Sequence, residues 1–243
     1  MGNAIRTLVC GNGRMGALVR AAVEADAAFE LVGQVGIEDV DALDAGDTLP
    51  AADLVIDFTN VAMLPHLAAY LRRNPAALVS GTTGLGESEF ALLDELATQM
   101  PVVWSANYSL GVAVLRRLVA EAAQALEGFD VEIVETHHNQ KADAPSGTAK
   151  LLLAAVDPEG ECAVANGRNG MVGARPVREI GMHALRGGTV AGTHEVHFFG
   201  PDEEVCLTHR ATSRQIFVNG AVAAAKRLAG SEPGRYTFEG LML

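Results

Sequence analysis

The chain has 243 residues, 49% of them hydrophobic and 20% charged, which suits one or two folded domains and shows no composition typical of disorder. Its formal net charge of -12 disfavours binding to nucleic acid or to anionic membranes, because phosphates are repelled at long range. The three widely spaced cysteines fit neither a disulfide framework nor a CxxC zinc site, and no apolar run is long enough to span a bilayer. We therefore expect a soluble, cytoplasmic protein without a signal peptide.

Short apolar runs alternate with helical patterns over the first hundred residues, as a parallel sheet with crossover helices requires. The first predicted helix spans residues 15–27. Strands are predicted over residues 5–10, 29–35, 54–58, 77–80 and 102–105. In an open α/β sheet, the loops at the carboxyl ends of the strands form the ligand crevice. The first half is therefore predicted to be an α/β domain whose ligand contacts those loops.

The pattern changes near Ser109, where we place a domain boundary. Further along, we predict helices over residues 112–127 and 148–156 and a strand over residues 131–135. From Ile180 to Val218, a period of two indicates an open, largely antiparallel sheet whose face can join copies into a homo-oligomer. A helix over residues 219–229 is expected to pack back on the first domain. The predicted domains are residues 1–109 with 214–243, and residues 110–213.

A glycine-rich loop with the pattern GxGxxG lies between the first predicted strand and the first helix. Its residues are Gly11, Asn12, Gly13, Arg14, Met15 and Gly16. Glycines at these positions allow a tight turn and let a pyrophosphate approach the free N–H groups of a helix N-terminus. The placement predicts a dinucleotide-binding loop, and a glycine-rich turn without a ligand is the alternative.

Two later strand ends carry loops of small polar residues that can line the same crevice. Their candidate cofactor contacts are Gly81, Thr82 and Thr83 in one loop, and Ser105, Ala106, Asn107 and Tyr108 in the other. The first loop is either a nicotinamide contact or a plain strand-to-helix turn, and Asn107 either binds a carboxamide or joins two loops. The choice between NADH and NADPH stays open, because Arg14 suits a 2′-phosphate whereas Glu38 or Asp39 suits a ribose hydroxyl.

The segment ETHHNQKADAPSGTAK, from Glu135 to Lys150, contains a helix start of unusual composition. Ser146 is a good N-cap, and Gly147 leaves the backbone accessible. The N–H groups of this helix start, its positive dipole end and the Thr148 hydroxyl can converge on one carboxylate. A simple capped helix without a ligand is the alternative. The composition favours a site for a small anion.

Three basic residues, His137, His138 and Lys141, lie just before this helix start and would attract a dianion to an otherwise acidic chain. Adjacent residues in an extended chain point in opposite directions, so one histidine is expected to face the ligand and the other the protein. Either histidine can carry a proton near neutral pH, and Lys141 can pair with the anion or protonate it.

We expect no metal site. His194 and His197 have the appearance of a metal-binding pair, but three residues apart on a strand their side chains point to opposite faces.

Five motifs together resemble the 4-hydroxy-tetrahydrodipicolinate reductase family of lysine and diaminopimelate biosynthesis: GNGRMG, DFT, GTTG, ANYSLGV and ETHHNQKADAPSGTA. The similarity extends over essentially the whole chain, and the last of these motifs is the most specific. The resemblance implies a Rossmann-like domain that binds NADH or NADPH through the glycine loop and the two polar loops.

The resemblance also implies a second domain that binds a cyclic dicarboxylate through His138, Lys141, Gly147 and Thr148. In the implied reaction, a hydride passes from the nicotinamide to the dihydrodipicolinate ring formed by loss of water. Lys141 would protonate the resulting intermediate and His137 would assist. A homotetramer is expected from the same resemblance.

Two other functions remain as alternatives. Another small-substrate dehydrogenase, such as an amino-acid dehydrogenase, would need the glycine loop but not the pattern HHxxKxDAPSGT. A non-catalytic dinucleotide sensor would also keep the glycine loop, but it should tolerate the loss of Lys141.

Overall fold

The computed structural model describes residues 3–45 and 49–243. The strands are β1 (Ile5–Cys10), β2 (Phe29–Val35), β3 (Leu54–Asp57), β4 (Ala77–Ser80), β5 (Pro101–Trp104), β6 (Asp130–His137), β7 (Ala163–Ala165), β8 (Glu179–Arg186), β9 (Gly192–Gly200), β10 (Glu203–Ala211) and β11 (Gly234–Tyr236). The α-helices are α1 (Arg14–Glu24), α2 (Val40–Ala45), α3 (Leu64–Arg73), α4 (Glu87–Ala97), α5 (Leu110–Ala125), α6 (Gly147–Val156), α7 (Gln215–Leu228) and α8 (Phe238–Met242).

The chain divides into two compact units, residues 1–110 with 215–243, and residues 111–214. Each limit lies one residue from the position expected from the sequence. Among the described residues, no helix is both long and apolar enough to cross a bilayer.

The first unit contains a six-stranded parallel sheet in the order β11-β5-β4-β3-β1-β2. Strands β3 and β4 are buried at every position, because helices cover a parallel sheet on both faces. Helix α7 contacts β3, β4 and β5, so the C-terminal segment packs on this sheet as the sequence predicted. The strand order reverses direction at β1, and ligands bind beside such a switch point in open α/β sheets. This places the loops after β1 and β3 at the expected crevice.

The second unit contains a five-stranded sheet in the order β10-β9-β6-β8-β7. Helices α5 and α6 cover one face through a core that includes Leu115, Val119 and Leu152. Along β6, Val131, Ile133, Glu135 and His137 are buried and the residues between them are partly exposed, as one covered face requires. The other face of the sheet, which we call the outward face, is not covered by these helices.

The second sheet is mixed, where the sequence predicted a largely antiparallel one. Strand β6 pairs antiparallel with β9 and parallel with β8, and β7 also runs parallel to β8. Alternation of apolar and polar residues along a strand indicates that one face is buried, but it does not indicate whether the neighbouring strand is parallel or antiparallel. The connection that contains α6 is long enough for a parallel crossover. The last strand of this sheet, β10, ends at Ala211 rather than near Val218, because α7 begins at Gln215.

Candidate active site

A fully buried carboxylate, Glu135 on β6, lies beside the start of helix α6. Its Oε1 accepts hydrogen bonds from the Ser146 backbone N–H at 3.1 Å and from Arg186 Nη2 at 2.8 Å. Its Oε2 accepts from Arg186 Nη1 at 2.9 Å and contacts His137 Nδ1. Burial raises the pKa of Glu135, but the hydrogen bonds from Arg186 and His137 outweigh it and leave the pKa below its ordinary value. Glu135 is therefore ionised at neutral pH.

The Glu135 carboxylate sets the tautomer of His137. Because Nδ1 donates to an ionised carboxylate, the second nitrogen, Nε2, is the atom that can exchange a proton with a ligand. The ring packs edge-on against His194, with ring centroids 5.1 Å apart. A Cβ atom at Gly192 would lie 3.1 Å from His137 Nε2, so glycine at this position leaves that nitrogen uncovered. His137 thus has the geometry of an oriented general acid or base.

The N-cap of helix α6 is fixed by a second buried histidine. Ser146 Oγ accepts from the Ala149 N–H at 3.1 Å and lies 3.2 Å from His194 Nε2. Burial, followed by the charge of nearby His137, lowers the pKa of His194 to about 4, so its ring is neutral near pH 7. The other ring nitrogen of His194 is buried and has no hydrogen-bond partner among the described residues. Ser146 and His194 together hold the first turn of α6 in place.

The first turn of α6 offers a surface that fits an anion. A Cβ atom at Gly147 would meet no atom within 4 Å, so the backbone there borders open space. Gly147 also lies at the positive end of a ten-residue helix. In the loop before the helix, Lys141 Nζ pairs with Asp143 at 2.8 and 3.0 Å, and Arg186 donates to the Asp143 carbonyl at 2.7 Å. One hydrogen-bonded network therefore connects His137, the Lys141 loop and the helix start.

In the first unit, the glycine loop after β1 has the geometry that a dinucleotide needs. A Cβ atom at Gly16 would lie 1.9 Å from the Gly11 carbonyl oxygen, so helix α1 can pack closely on the loop only with glycine there. Gly11 itself has φ of +124°, which favours glycine. Within the described part of the chain, by contrast, a Cβ atom at Gly13 would meet nothing within 4 Å, and no side chain caps the N-terminus of α1. The open N-terminus fits a pyrophosphate.

A buried aspartate, Asp57 at the end of β3, holds the neighbouring loops of the same edge. Its carboxylate accepts from the Thr59 hydroxyl at 2.5 Å, from the Ser80 hydroxyl at 2.7 Å and from the Thr82 hydroxyl at 2.9 Å. Burial raises the pKa of Asp57, although these hydrogen bonds oppose the shift. The Thr82 hydroxyl is thereby used within the protein, whereas the side chain of Thr83 is exposed at the loop surface.

The loop from Ser105 to Tyr108 is held by its own polar groups. The Ser105 hydroxyl donates to the Asn107 carbonyl at 2.8 Å, and Asn107 Oδ1 accepts from the Ser109 N–H at 2.8 Å. The Tyr108 ring is buried and its hydroxyl donates to the Ser80 carbonyl at 2.8 Å. Burial raises the pKa of Tyr108 well above its ordinary value, so the phenol remains protonated. The side chain of Tyr108 therefore joins this loop to the end of β4 and is not exposed to a ligand.

Two models of one protein family match almost the whole chain. The family models described as "Dihydrodipicolinate reductase, N-terminus" and "Dihydrodipicolinate reductase, C-terminus" match residues 5–108 and 111–242. The chain belongs to the dihydrodipicolinate reductase family. Two similar relatives are both named 4-hydroxy-tetrahydrodipicolinate reductase. The protein of Caldanaerobacter subterraneus subsp. tengcongensis is 42% identical over 98% of both chains, and that of Brachyspira hyodysenteriae is 39% identical over 96% of this chain and 97% of its own.

Solved structures support the fold of a dihydrodipicolinate reductase. The dipicolinate-bound dihydrodipicolinate reductase of Paenisporosarcina sp. TG-14 superposes with a TM-score of 0.77, covering 99% of this chain and 100% of its own at 23% identity. An amine dehydrogenase from Mycobacterium smegmatis shares the fold more distantly, with a TM-score of 0.60 at 14% identity, 97% coverage of this chain and 95% of its own. The same fold therefore occurs in a dihydrodipicolinate reductase and in an amine dehydrogenase.

The two adjacent histidines lie in different environments. His137 is buried against Glu135, whereas His138 is half-buried and its Nε2 lies 3.1 Å from Arg214 Nη2. His137 and the α6 start with Gly147 are joined by the Glu135 network, and Lys141 is connected to it through Asp143. The roles of these residues toward a ligand remain predictions.

Four residues that organise the loops were not among the sequence candidates: Asp57, Glu135, Arg186 and His194. Glu135 carried a signal, because it is the one acid among the inward positions of a strand that otherwise alternates Val131, Ile133 and His137. Arg186 carried none, and His194 was considered only as a metal ligand; each reaches its partner from another strand of the sheet.

Proposed function

We propose that the chain catalyses the NAD(P)H-dependent reduction of 4-hydroxy-tetrahydrodipicolinate to tetrahydrodipicolinate in lysine and diaminopimelate biosynthesis. The observation that carries the proposal is the Glu135 network, which holds an oriented imidazole beside the first turn of α6, where Gly147 is exposed. An amino-acid dehydrogenase or a dinucleotide sensor has no need of that combination. The family membership and the relatives named 4-hydroxy-tetrahydrodipicolinate reductase support the same substrate.

In this proposal, the second unit binds the dicarboxylate through His138, Lys141, Gly147 and Thr148. The helix N–H groups donate hydrogen bonds to one carboxylate, and the Lys141 ammonium pairs with the anion and donates the proton that follows reduction. His137 Nε2 assists in this proton transfer, with Glu135 orienting the ring through Nδ1. The pairing of Lys141 with Asp143 keeps the ammonium in position before the substrate arrives.

The first unit binds the coenzyme through the glycine loop from Gly11 to Gly16, Gly81–Thr83 and Ser105–Tyr108. The coenzyme supplies the hydride. The open N-terminus of α1 receives the pyrophosphate, and the Asp57 network holds the neighbouring loops rigid around it.

A kinetic comparison of two lysine variants tests the proposed reaction. Wild-type protein should oxidise NADH or NADPH in an assay that forms the substrate from pyruvate and aspartate semialdehyde. Lys141→Ala should lower kcat about 100-fold or more, the range expected for loss of a general acid. Lys150→Ala removes an exposed lysine on α6 and serves as the control, with kcat close to wild type. Wild-type protein that binds the coenzyme without turnover would refute the reductase function.

We further propose that NADH is the preferred coenzyme. Glu38 follows β2, and its carboxylate accepts a hydrogen bond from the Asn12 amide of the glycine loop. Asp39 lies beside it and accepts from the Gly36 N–H at 2.8 Å. An acid after the second strand binds the adenosine ribose hydroxyls in dinucleotide folds. Two carboxylates at this position would repel the 2′-phosphate of NADPH.

The ratio of kcat/KM for the two coenzymes tests this preference. Wild-type protein should favour NADH by about tenfold, which corresponds to ~1.4 kcal/mol of unfavourable charge interaction. Glu38→Gln should reduce the ratio. Arg14→Ala, in the same loop, should leave it unchanged, and a selective loss of NADPH activity in that variant would instead assign Arg14 to the 2′-phosphate.

The proposal extends to assembly and location. The outward face exposes Leu185 and Phe199, at 49% and 40% of their surface, which favours a homo-oligomer and is consistent with the expected tetramer. Sedimentation equilibrium should give the mass of four chains, and Phe199→Glu should lower it. A monomeric wild-type protein would contradict this. A cytoplasmic location agrees with the three free cysteines, at positions 10, 162 and 206.

A further inference from the structure

The outward face carries a second cluster of reactive side chains, separate from the Glu135 network. His197 on β9 lies directly opposite Cys206 on β10, and Glu204 precedes Cys206 by two residues on the same face. One nitrogen, one sulfur and one oxygen atom of these three residues lie within 4.8 Å of one another. His194, three residues before His197, points to the covered face, so the two histidines of β9 belong to different sites.

The three side chains present their donor atoms in an ordered way. Glu204 Oε1 lies 2.6 Å from His197 Nδ1, so the carboxylate accepts a hydrogen bond from Nδ1–H. The lone pair of the ring is then on Nε2. Nε2 lies 3.9 Å from Cys206 Sγ. The His197 ring stacks on Phe199 at 5.7 Å and an interplanar angle of 4°, which limits its rotation. The Thr208 hydroxyl, 3.5 Å from the sulfur, can donate to a thiolate.

We propose that His197 and Cys206 bind a zinc ion through Nε2 and Sγ, with Glu204 orienting the imidazole. Bonds of about 2.3 Å to sulfur and about 2.0 Å to nitrogen place the two ligand atoms about 3.5 Å apart on a tetrahedral ion. The observed 3.9 Å needs only a small adjustment.

The donor set also selects the metal. A thiolate and an imidazole favour zinc over magnesium or calcium, which require oxygen ligands. A carboxylate on the second nitrogen of a metal-bound histidine is the usual arrangement around zinc, and it raises the basicity of the ligand. Two water molecules complete the four positions of the tetrahedral ion. The net charge of -12 favours the approach of a cation.

Cobalt(II) provides a direct spectroscopic test on the full-length protein, reduced and freed of metal with a chelator. Titration with cobalt chloride should produce the thiolate-to-metal charge-transfer band and the visible bands of a tetrahedral ion, and zinc chloride should abolish both. Cys206→Ser should remove the charge-transfer band. Cys162→Ser, which changes a thiol in another part of the second unit, should leave the spectrum unchanged.

Two further variants separate ligation from positioning. His197→Asn should abolish tetrahedral binding, whereas Glu204→Gln should weaken zinc about 10- to 100-fold and keep the charge-transfer band, as expected of a residue that acts through the histidine. The proposal is overturned if wild-type protein gives no charge-transfer band, or if the band persists in Cys206→Ser. Thermal unfolding of each variant verifies folding, and sedimentation equilibrium verifies assembly, because the three residues lie on the outward face beside Phe199.

Discussion

The Glu135 carboxylate accepts hydrogen bonds from both terminal nitrogens of the Arg186 guanidinium, at 2.8 and 2.9 Å. This bidentate ion pair joins β6 to β8 beneath the start of α6. Because the carboxylate also accepts from His137 Nδ1 and the Ser146 N–H, a single charged pair positions the imidazole and the helix start together. Arginine is suited to this role because its planar fork matches both carboxylate oxygens.

Glu135→Gln should lower kcat about 100-fold, because the amide no longer holds His137 in the required tautomer and orientation. The measurement is steady-state oxidation of the reduced coenzyme over a range of pH. Glu132→Gln is the matched control. Glu132 lies on the same strand as Glu135 and is also paired with arginines, but its side chain faces outward. Equal losses of kcat in the two variants would show that a weakened sheet, rather than the orientation of His137, limits activity.

Gly13→Ala and Gly16→Ala should fail in different ways. The methyl group at position 16 would overlap the Gly11 carbonyl and should lower the free energy of unfolding by roughly 2 kcal/mol. At position 13 the methyl group meets open space and φ is -78°, so stability should be kept. The same methyl group should raise the KM of the coenzyme about tenfold, the effect of ~1.4 kcal/mol, by obstructing the pyrophosphate. Urea unfolding and KM values separate the two effects, and an unchanged KM in Gly13→Ala would argue against pyrophosphate binding here.

Asp57→Asn should lower the free energy of unfolding by about 1–3 kcal/mol. The hydroxyl groups of Ser80 and Thr82 both donate to Oδ2 of Asp57, and an amide nitrogen at that position could not accept these hydrogen bonds. The KM of the coenzyme should rise, since the loops held by Ser80 and Thr82 become less ordered. Asp53→Asn changes an exposed carboxylate just before the same strand and should have a small effect on both quantities. Wild-type stability in Asp57→Asn would show that the hydroxyl groups do not depend on the charge.

The stability of the protein should fall between pH 6.5 and pH 4.5. The pKa of His194 is lowered by burial to about 4, so the unfolded chain binds a proton in this range that the folded chain does not. Stability is therefore full above the unfolded pKa and decreases as the pH falls, by ~1.4 kcal/mol per pH unit for one proton. His209, whose pKa is also lowered by burial, adds to the slope, whereas Asp57, whose pKa is raised by burial, opposes it.

His194→Gln should remove about one proton from this pH dependence while keeping a polar group near Ser146. Urea unfolding of wild type and variant at several pH values gives the slope. Glu132 does not interfere, because its pKa of about 2 affects stability only below the ordinary glutamate pKa. Burial raises this pKa, but hydrogen bonds from Arg168, His183 and Arg175 outweigh the burial. An unchanged slope in His194→Gln would show that another group carries the effect.

Local sequence patterns predicted most of the first unit. Apolar runs that end in glycine loops identified the strands up to residue 105, because a parallel strand buried on both faces must be apolar along its length. The glycine loop and the α6 start were found for a similar reason, since their geometry depends on a few consecutive residues.

The sequence by itself determined the two-unit plan, the glycine loop and the basic segment around His137 and Lys141. Only the tertiary structure decided which charged groups support them and how the strands of the second sheet are directed. Arg186 reaches Glu135 across 51 positions of sequence, and Cys206 reaches His197 only through the strand register. Such pairings arise when strands that are distant in the chain become neighbours, and no local spacing encodes them.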